Sequence, residues 1–170
     1  MAMLRPEPVA SDLGAGLLRG EHFQVAYATN DLPRAKALFA ERYGVTRFAP
    51  LGGPLPEGGE IAVEFAWVGG FMLELQTATG PGSAVYVEGL PQDRFAIRKH
   101  HLGYLVRDQE QWQALRDTIV RGGWTVRVDQ NITGFMHQIF VEAPELGHLL
   151  EYLLPEPAGM AFFTQTVPEN

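Results

Sequence analysis

A chain of 170 residues, 46% of them hydrophobic, can bury a core of its own. Its 20 Asp and Glu outnumber 13 Lys and Arg, and a net charge of -7 argues against nucleic acid or an anionic membrane as a partner. With no cysteine there are no disulfides, thiolate metal sites or cysteine nucleophile, so any metal must be held by imidazole, carboxylate or amide groups. No stretch is apolar enough to span a bilayer, and a beginning with Arg5, Glu7 and two prolines does not read as a signal peptide. The expected location is the cytoplasm.

Residues 1–19 read as an N-terminal arm lying on the body or on a neighbouring subunit. From 22 to 29 the pattern predicts a strand, with Phe23, Val25 and Tyr27 on one face and His22, Gln24, Ala26 and Ala28 on the other. Asn30-Asp31-Leu32-Pro33 predicts a capped helix start; Leu32, Ala35, Leu38 and Phe39 form its buried stripe and Gly44 stops it. A strand over 46–49 leads to a Gly- and Pro-rich loop, 51–59, of the kind that borders a site. Period-two alternation over 61–68, the turn Gly69-Gly70 and a strand over 71–76 complete a βαβββ unit.

After a connector, 80–96, the pattern restarts at His100. A strand runs to Val106, and Asp108 caps a helix with Trp112, Leu115, Ile119 and Val120 inside and Gly122-Gly123 as its stop. Strands are expected near 124–128, 135–141 and 148–153. The tail, 156–170, is too apolar at Met160, Phe162 and Phe163 to hang in water, and is expected to pack on the body or across a dimer. The expected fold class is α+β: modules 20–79 and 97–155 form one curled, pseudo-twofold mixed sheet with helices on its outer face.

A repeat ties the two modules together. Gly70-Phe71-Met72-Leu73-Glu74 returns 77 residues later as Gly147-His148-Leu149-Leu150-Glu151, and the same offset carries Gln24 to His101 and Asp31 to Asp108. In a βαβββ unit the first and last strands lie side by side, so a pseudo-twofold axis brings Gln24, Glu74, His101 and Glu151 to one place. Ala26, Ala28 and Gly103 leave the surface around them hollow. Two carboxylates, an imidazole and an amide in such a hollow repel and desolvate one another, a cost that a divalent cation removes. The oxygen-rich set leaves positions for water or substrate oxygens and does not resemble a closed structural zinc site. His22 remains an alternative to Gln24 as ligand or pocket residue, although it breaks both repeat spacings. His137 is a further candidate pocket residue, and His100 is expected to point away from His101.

Over residues 21–155 the chain resembles the vicinal oxygen chelate superfamily: glyoxalase I, methylmalonyl-CoA epimerase, extradiol dioxygenases and bleomycin-resistance proteins. The carrying features are Gln24 and His101, each seven residues before a helix-capping aspartate, and glutamates in Met72-Leu73-Glu74-Leu75 and Leu149-Leu150-Glu151-Tyr152. The Gln, Glu, His, Glu set is similar to that of eukaryotic-type glyoxalase I. The resemblance implies a divalent ion (Zn, Ni, Co, Mn or Fe), a small-molecule substrate and a homodimer. It also implies proton abstraction next to a carbonyl, with stabilisation of an enediolate and with Glu151 or Glu74 as base. Ala28 and Ala78 stand where that enzyme has glutathione-contacting arginine and asparagine, while His100-His101 is closer to the acyl-CoA epimerase branch. Rival readings are an extradiol-type dioxygenase, against which Glu74 argues by filling a position oxygen chemistry uses, and a non-catalytic binding protein of the same fold.

Overall fold

The computed structural model describes residues 10–170; residues 1–9 of the expected arm lie outside the described residues. In chain order the elements are β1 (Glu21–Thr29), α1 (Leu32–Tyr43), β2 (Ala49–Pro54), β3 (Glu60–Val68), β4 (Phe71–Thr79), α2 (Ala84–Val87), β5 (Ile97–Leu105), α3 (Gln109–Gly122), β6 (Val126–Ile132), β7 (Met136–Ala143), β8 (His148–Pro155) and α4 (Pro157–Ala161). The eight strands form one mixed, curled sheet in the order β2-β3-β4-β1-β5-β8-β7-β6. β1 runs parallel to β4 and β5 parallel to β8, and the two halves join where β1 and β5 pair antiparallel.

Each long helix covers the outer face of its own half. Asp31 accepts a hydrogen bond from the Arg34 N–H (3.0 Å) and Asp108 from that of Gln111 (2.8 Å), while Gly44 and Gly123 end the helices at φ 73° and 64°, where a Cβ would be strained. α1 places Ala35 and Phe39 on Leu73, Leu75 and Ala66; α3 places Trp112, Leu115 and Ile119 on Ile139, Leu150 and Tyr152. Val120 was expected inside but is 80% exposed, because one residue beyond Ile119 the helix has turned away from the sheet. The described part of the arm seals this second core: Leu13 and Leu17 are buried in it, and the Tyr152 hydroxyl donates to the Leu17 carbonyl at 2.7 Å.

Strand boundaries and pairing depart from the expectation in several places. β2 occupies residues 49–54, most of which read as loop, and pairs with β3 through Gly52, whose missing side chain lets the strands approach; a Cβ there would stand 2.7 Å from the Ile61 carbonyl oxygen. β6 begins at Val126, leaving Trp124 in the turn after α3. Pairing of β1 with β5 skips Phe23, between His22 and Gln24, and skips His100, opposite the step from Ala26 to Tyr27. These two bulges are themselves 77 residues apart and each precedes one of the repeated polar residues. A bulge puts two residues against one partner and breaks the period-two rule, so Phe23 turns inward onto Phe163 and His100 turns toward His101, where alternation had sent both outward.

The tail packs on the body. Phe163 is 3% exposed among Phe65, Met72 and Leu153, and the last residues pair with Trp67, whose N–H donates to the Pro168 carbonyl at 2.8 Å. Among the described residues no helix is long and apolar enough to cross a membrane. Replacing Asp108 by Ala removes the N-cap of α3 and should cost about 1 kcal/mol of stability, read as a lowered denaturant midpoint with unchanged slope.

Candidate metal centre

The seam between β1 and β5 and its two flanking strands hold the four repeated residues. In register, Ala26 stands between Glu74 on β4 and His101 on β5, and Gln24 stands opposite Gly103, itself beside Glu151 of β8. Side chains at these inward positions meet: Gln24 and His101 are 0% exposed, Glu151 2% and Glu74 5%. The contact requires glycine at 103, since a Cβ there would lie 2.8 Å from both Cβ and Oε1 of Gln24.

His101 Nε2 lies 3.0 Å from Glu151 Oε2 and 3.7 Å from Glu74 Oε2. Gln24 donates through Nε2 to Glu74 Oε2, and its own Oε1 lies beside Gly103. Gln24 Oε1, His101 Nε2 and Glu151 Oε2 are all buried without a hydrogen-bond partner; the imidazole and Glu151 are close in distance but lack hydrogen-bond geometry. Unpartnered buried polar atoms are costly, and a cation would give the imidazole and carboxylate atoms the partner they lack. Glu74, His101 and Glu151 offer ligand atoms within 4.8 Å of one another and can hold a metal ion.

Electrostatics of the same groups record the cost of burying them together. Burial, reinforced by Glu151, pushes the Glu74 carboxyl from an ordinary 4.5 to about 8 against the opposing pull of His101. His101 is desolvated too, which disfavours its cation, but Glu151 and Glu74 outweigh burial and raise its pKa. A bound divalent ion would take over the role of these protons and keep the carboxylates ionised.

His100 controls the tautomer of His101. Its Nε2 is 2.8 Å from the Val85 carbonyl, which only accepts, so Nε2 carries the proton. Burial and the neighbouring His101 lower the His100 pKa to about 4, so the ring is neutral and its Nδ1 has a lone pair. His101 Nδ1, 2.8 Å away, donates to it, which leaves the Nε2 lone pair of a neutral His101 facing the two glutamates. Tyr86 stacks on His100 at 14°, tying the short helix α2 to the same support.

Of the other sequence candidates, His22 is exposed, its Nε2 bonded to the Gln24 carbonyl (3.0 Å) and its ring against Tyr104. His137 lies on the outer side of β7 against Trp112 of α3. Neither joins the cluster. Gln138, the residue after His137, does: its amide donates to Glu151 Oε1 at 2.5 Å and it accepts in turn from Gln130. The available signal was the inward row Met136, Gln138, Phe140, a polar residue between two large apolar ones on one face of a strand.

Above the cluster opens a cavity of about 580 Å³. Its walls are mainly apolar, among them Leu51, Ile61, Phe65, Phe135, Leu153 and Phe163, and Glu74 and Glu151 lie at its base.

No protein-family model and no functionally curated protein matches the sequence. Solved structures do match in fold. A Streptomyces coelicolor methylmalonyl-CoA epimerase in complex with 2-nitronate-propionyl-CoA is 18% identical, with 82% of this chain and 96% of that one covered and a TM-score of 0.58. A methylmalonyl-CoA epimerase in complex with methylmalonyl-CoA and NH4+ gives the same figures, 18%, 82%, 96% and 0.58. The epimerase from Mycobacterium tuberculosis is 17% identical, with 94% and 97% covered and a TM-score of 0.56.

Two outcomes follow from this geometry. Folded Glu74 holds its proton more tightly than unfolded Glu74, a contribution that is full below about 4.5 and lost as pH rises toward 8. Metal-free protein should therefore lose melting temperature across that window, and Glu74→Gln or a saturating divalent ion should flatten the loss. Gly103→Ala should fold yet displace Gln24 and weaken metal binding by about tenfold or more, measured by calorimetric titration.

Proposed function

We propose that this chain, which has the fold of the vicinal oxygen chelate superfamily, is a divalent-metal-dependent lyase or isomerase of the glyoxalase type, removing a proton from carbon next to a carbonyl. One observation carries the reading: Glu74, His101 and Glu151 offer ligand atoms within 4.8 Å of one another, with His101 Nε2 and Glu151 Oε2 unpartnered, beside a cavity large enough for a small molecule. Gln24, Glu74, His101 and Glu151 would hold the ion, which can be Zn, Ni, Co, Mn or Fe. When bound, it supplies the positive charge that stabilises an oxyanion next to the carbon losing its proton.

The chain's own groups divide the remaining work. Glu151 is the base: Gln138 fixes its Oε1 and leaves Oε2 directed at the site. Gln24 holds Glu74, the second carboxylate, which can return a proton. His100 keeps His101 in the tautomer with Nε2 available. The apolar walls keep bulk water from the exposed carbanion-like carbon.

A second reading, epimerisation, shares the first step and differs in where the proton returns. The fold likeness to methylmalonyl-CoA epimerases and the presence of two carboxylates, one to remove and one to return a proton, support it. Exchange of the substrate α-hydrogen with solvent deuterium tests the common step. Glu151→Gln keeps an amide oxygen for the metal, so it should bind metal normally and exchange about 100-fold slower or worse; exchange at the wild-type rate in this variant would remove Glu151 as base.

A further inference from the structure

The cavity's charge constrains its ligand more tightly than the metal centre does. No Lys or Arg is among its described lining residues. The sequence segments that build it, 49–65, 128–136 and 156–170, contain no Lys, Arg or His, but carry Glu57, Glu60, Glu64, Asp129, Glu156 and Glu169. The nearest cation of the β6–β7 hairpin, Arg127, is held by Glu88 and Glu142 at 3.0 and 2.7 Å. Two glutamates at the base already balance a divalent ion, leaving no net positive charge for an anionic ligand. A carboxylate or phosphate entering here would be desolvated without a counter-ion, which is costly.

The polar side chains that line the cavity on its inward rows, apart from Gln24, Glu74 and Glu151, are the amides of Gln76, Gln130 and Gln138 and the Tyr86 side chain. Amides match carbonyl and hydroxyl oxygens of neutral molecules without requiring opposite charge. Beyond them the walls are aliphatic and aromatic. Gly53 enlarges this space: it lies on the inward row of β2 with Leu51, opposite Ile61, and a Cβ built on it meets no atom within 4 Å.

We infer that the cavity takes an uncharged, largely apolar carbonyl compound, rather than a coenzyme A thioester, a free carboxylate or a phosphate ester. The carbonyl rests on the metal-dependent reading above; the exclusion of anions rests on the cavity alone.

Calorimetric titration of the full chain, metal-free and loaded with Co(II), separates the two. Methyl mandelate and mandelate share a skeleton and differ in charge; the uncharged ester should bind the Co(II)-loaded protein at least about tenfold tighter than mandelate, and tighter than propionyl-CoA. Gly53→Phe, remote from the cluster, should take up Co(II) as wild type does and bind benzoin at least about tenfold more weakly. Mandelate or propionyl-CoA binding as tightly as methyl mandelate overturns the inference, as does a Gly53→Phe protein that binds benzoin unchanged. Wild-type protein that takes up no Co(II) but still prefers methyl mandelate overturns the metal reading and leaves the uncharged-ligand inference standing; tight propionyl-CoA binding with normal Co(II) uptake does the reverse.

Discussion

Two carboxylates, an imidazole and an amide share one dehydrated space at the seam of two copied modules, and each raises the cost of the others. Protons relieve that cost in metal-free protein: Glu74 holds one up to about pH 8, and the glutamates help His101 hold another. A cation relieves it differently, by giving His101 Nε2 and Glu151 Oε2 the partner they lack. Much of the surrounding architecture serves to keep these groups converging. Gly103 makes room for Gln24, and bulges at Phe23 and His100 break the ladder immediately before Gln24 and His101.

The two halves support the centre unequally. The first contributes the amide and one glutamate and binds them to each other, Gln24 to Glu74. The second contributes the imidazole and the other glutamate and gives each its own outer support, His100 for His101 and Gln138 for Glu151. At the position equivalent to His100 the first half has Phe23, which packs on Phe163 instead of a polar neighbour. The repeat thus places four groups symmetrically, and the differing residues around them set which have fixed protons and which have free oxygens.

The same differences shape the cavity. β2, with two glycines and two prolines, forms a thin wall where a strand of larger residues would fill the space, and the tail brings Phe163 across the first-half sheet. The result is a mainly apolar chamber in which, among the described residues, the only strong charges belong to the cluster itself. That separation, charge at the base and amides with hydrocarbon above, lets the base act on carbon while the rest of the ligand is held by surface burial.

The register of the repeat, the capping aspartates and the alternation of β3 are local features, and they sufficed to determine the order of elements, the mixed sheet and the four residues that meet. Local patterns failed where a contact between distant strands decides the outcome. Phe23 and His100 face inward because pairing of β1 with β5 skips a residue, which no single-strand periodicity contains. Gly52 reads as loop until Ile61 lies against it, and Val120 reads as core until the sheet's edge is placed. The choice of Gln138 over His137 depends on which face of β7 looks inward, set by pairing with β8. The sequence by itself therefore determined which groups would converge, since repeat spacing survives folding. Only the tertiary structure decided their protonation, their supports and the charge of the space above them, because those depend on burial and on neighbours from other strands.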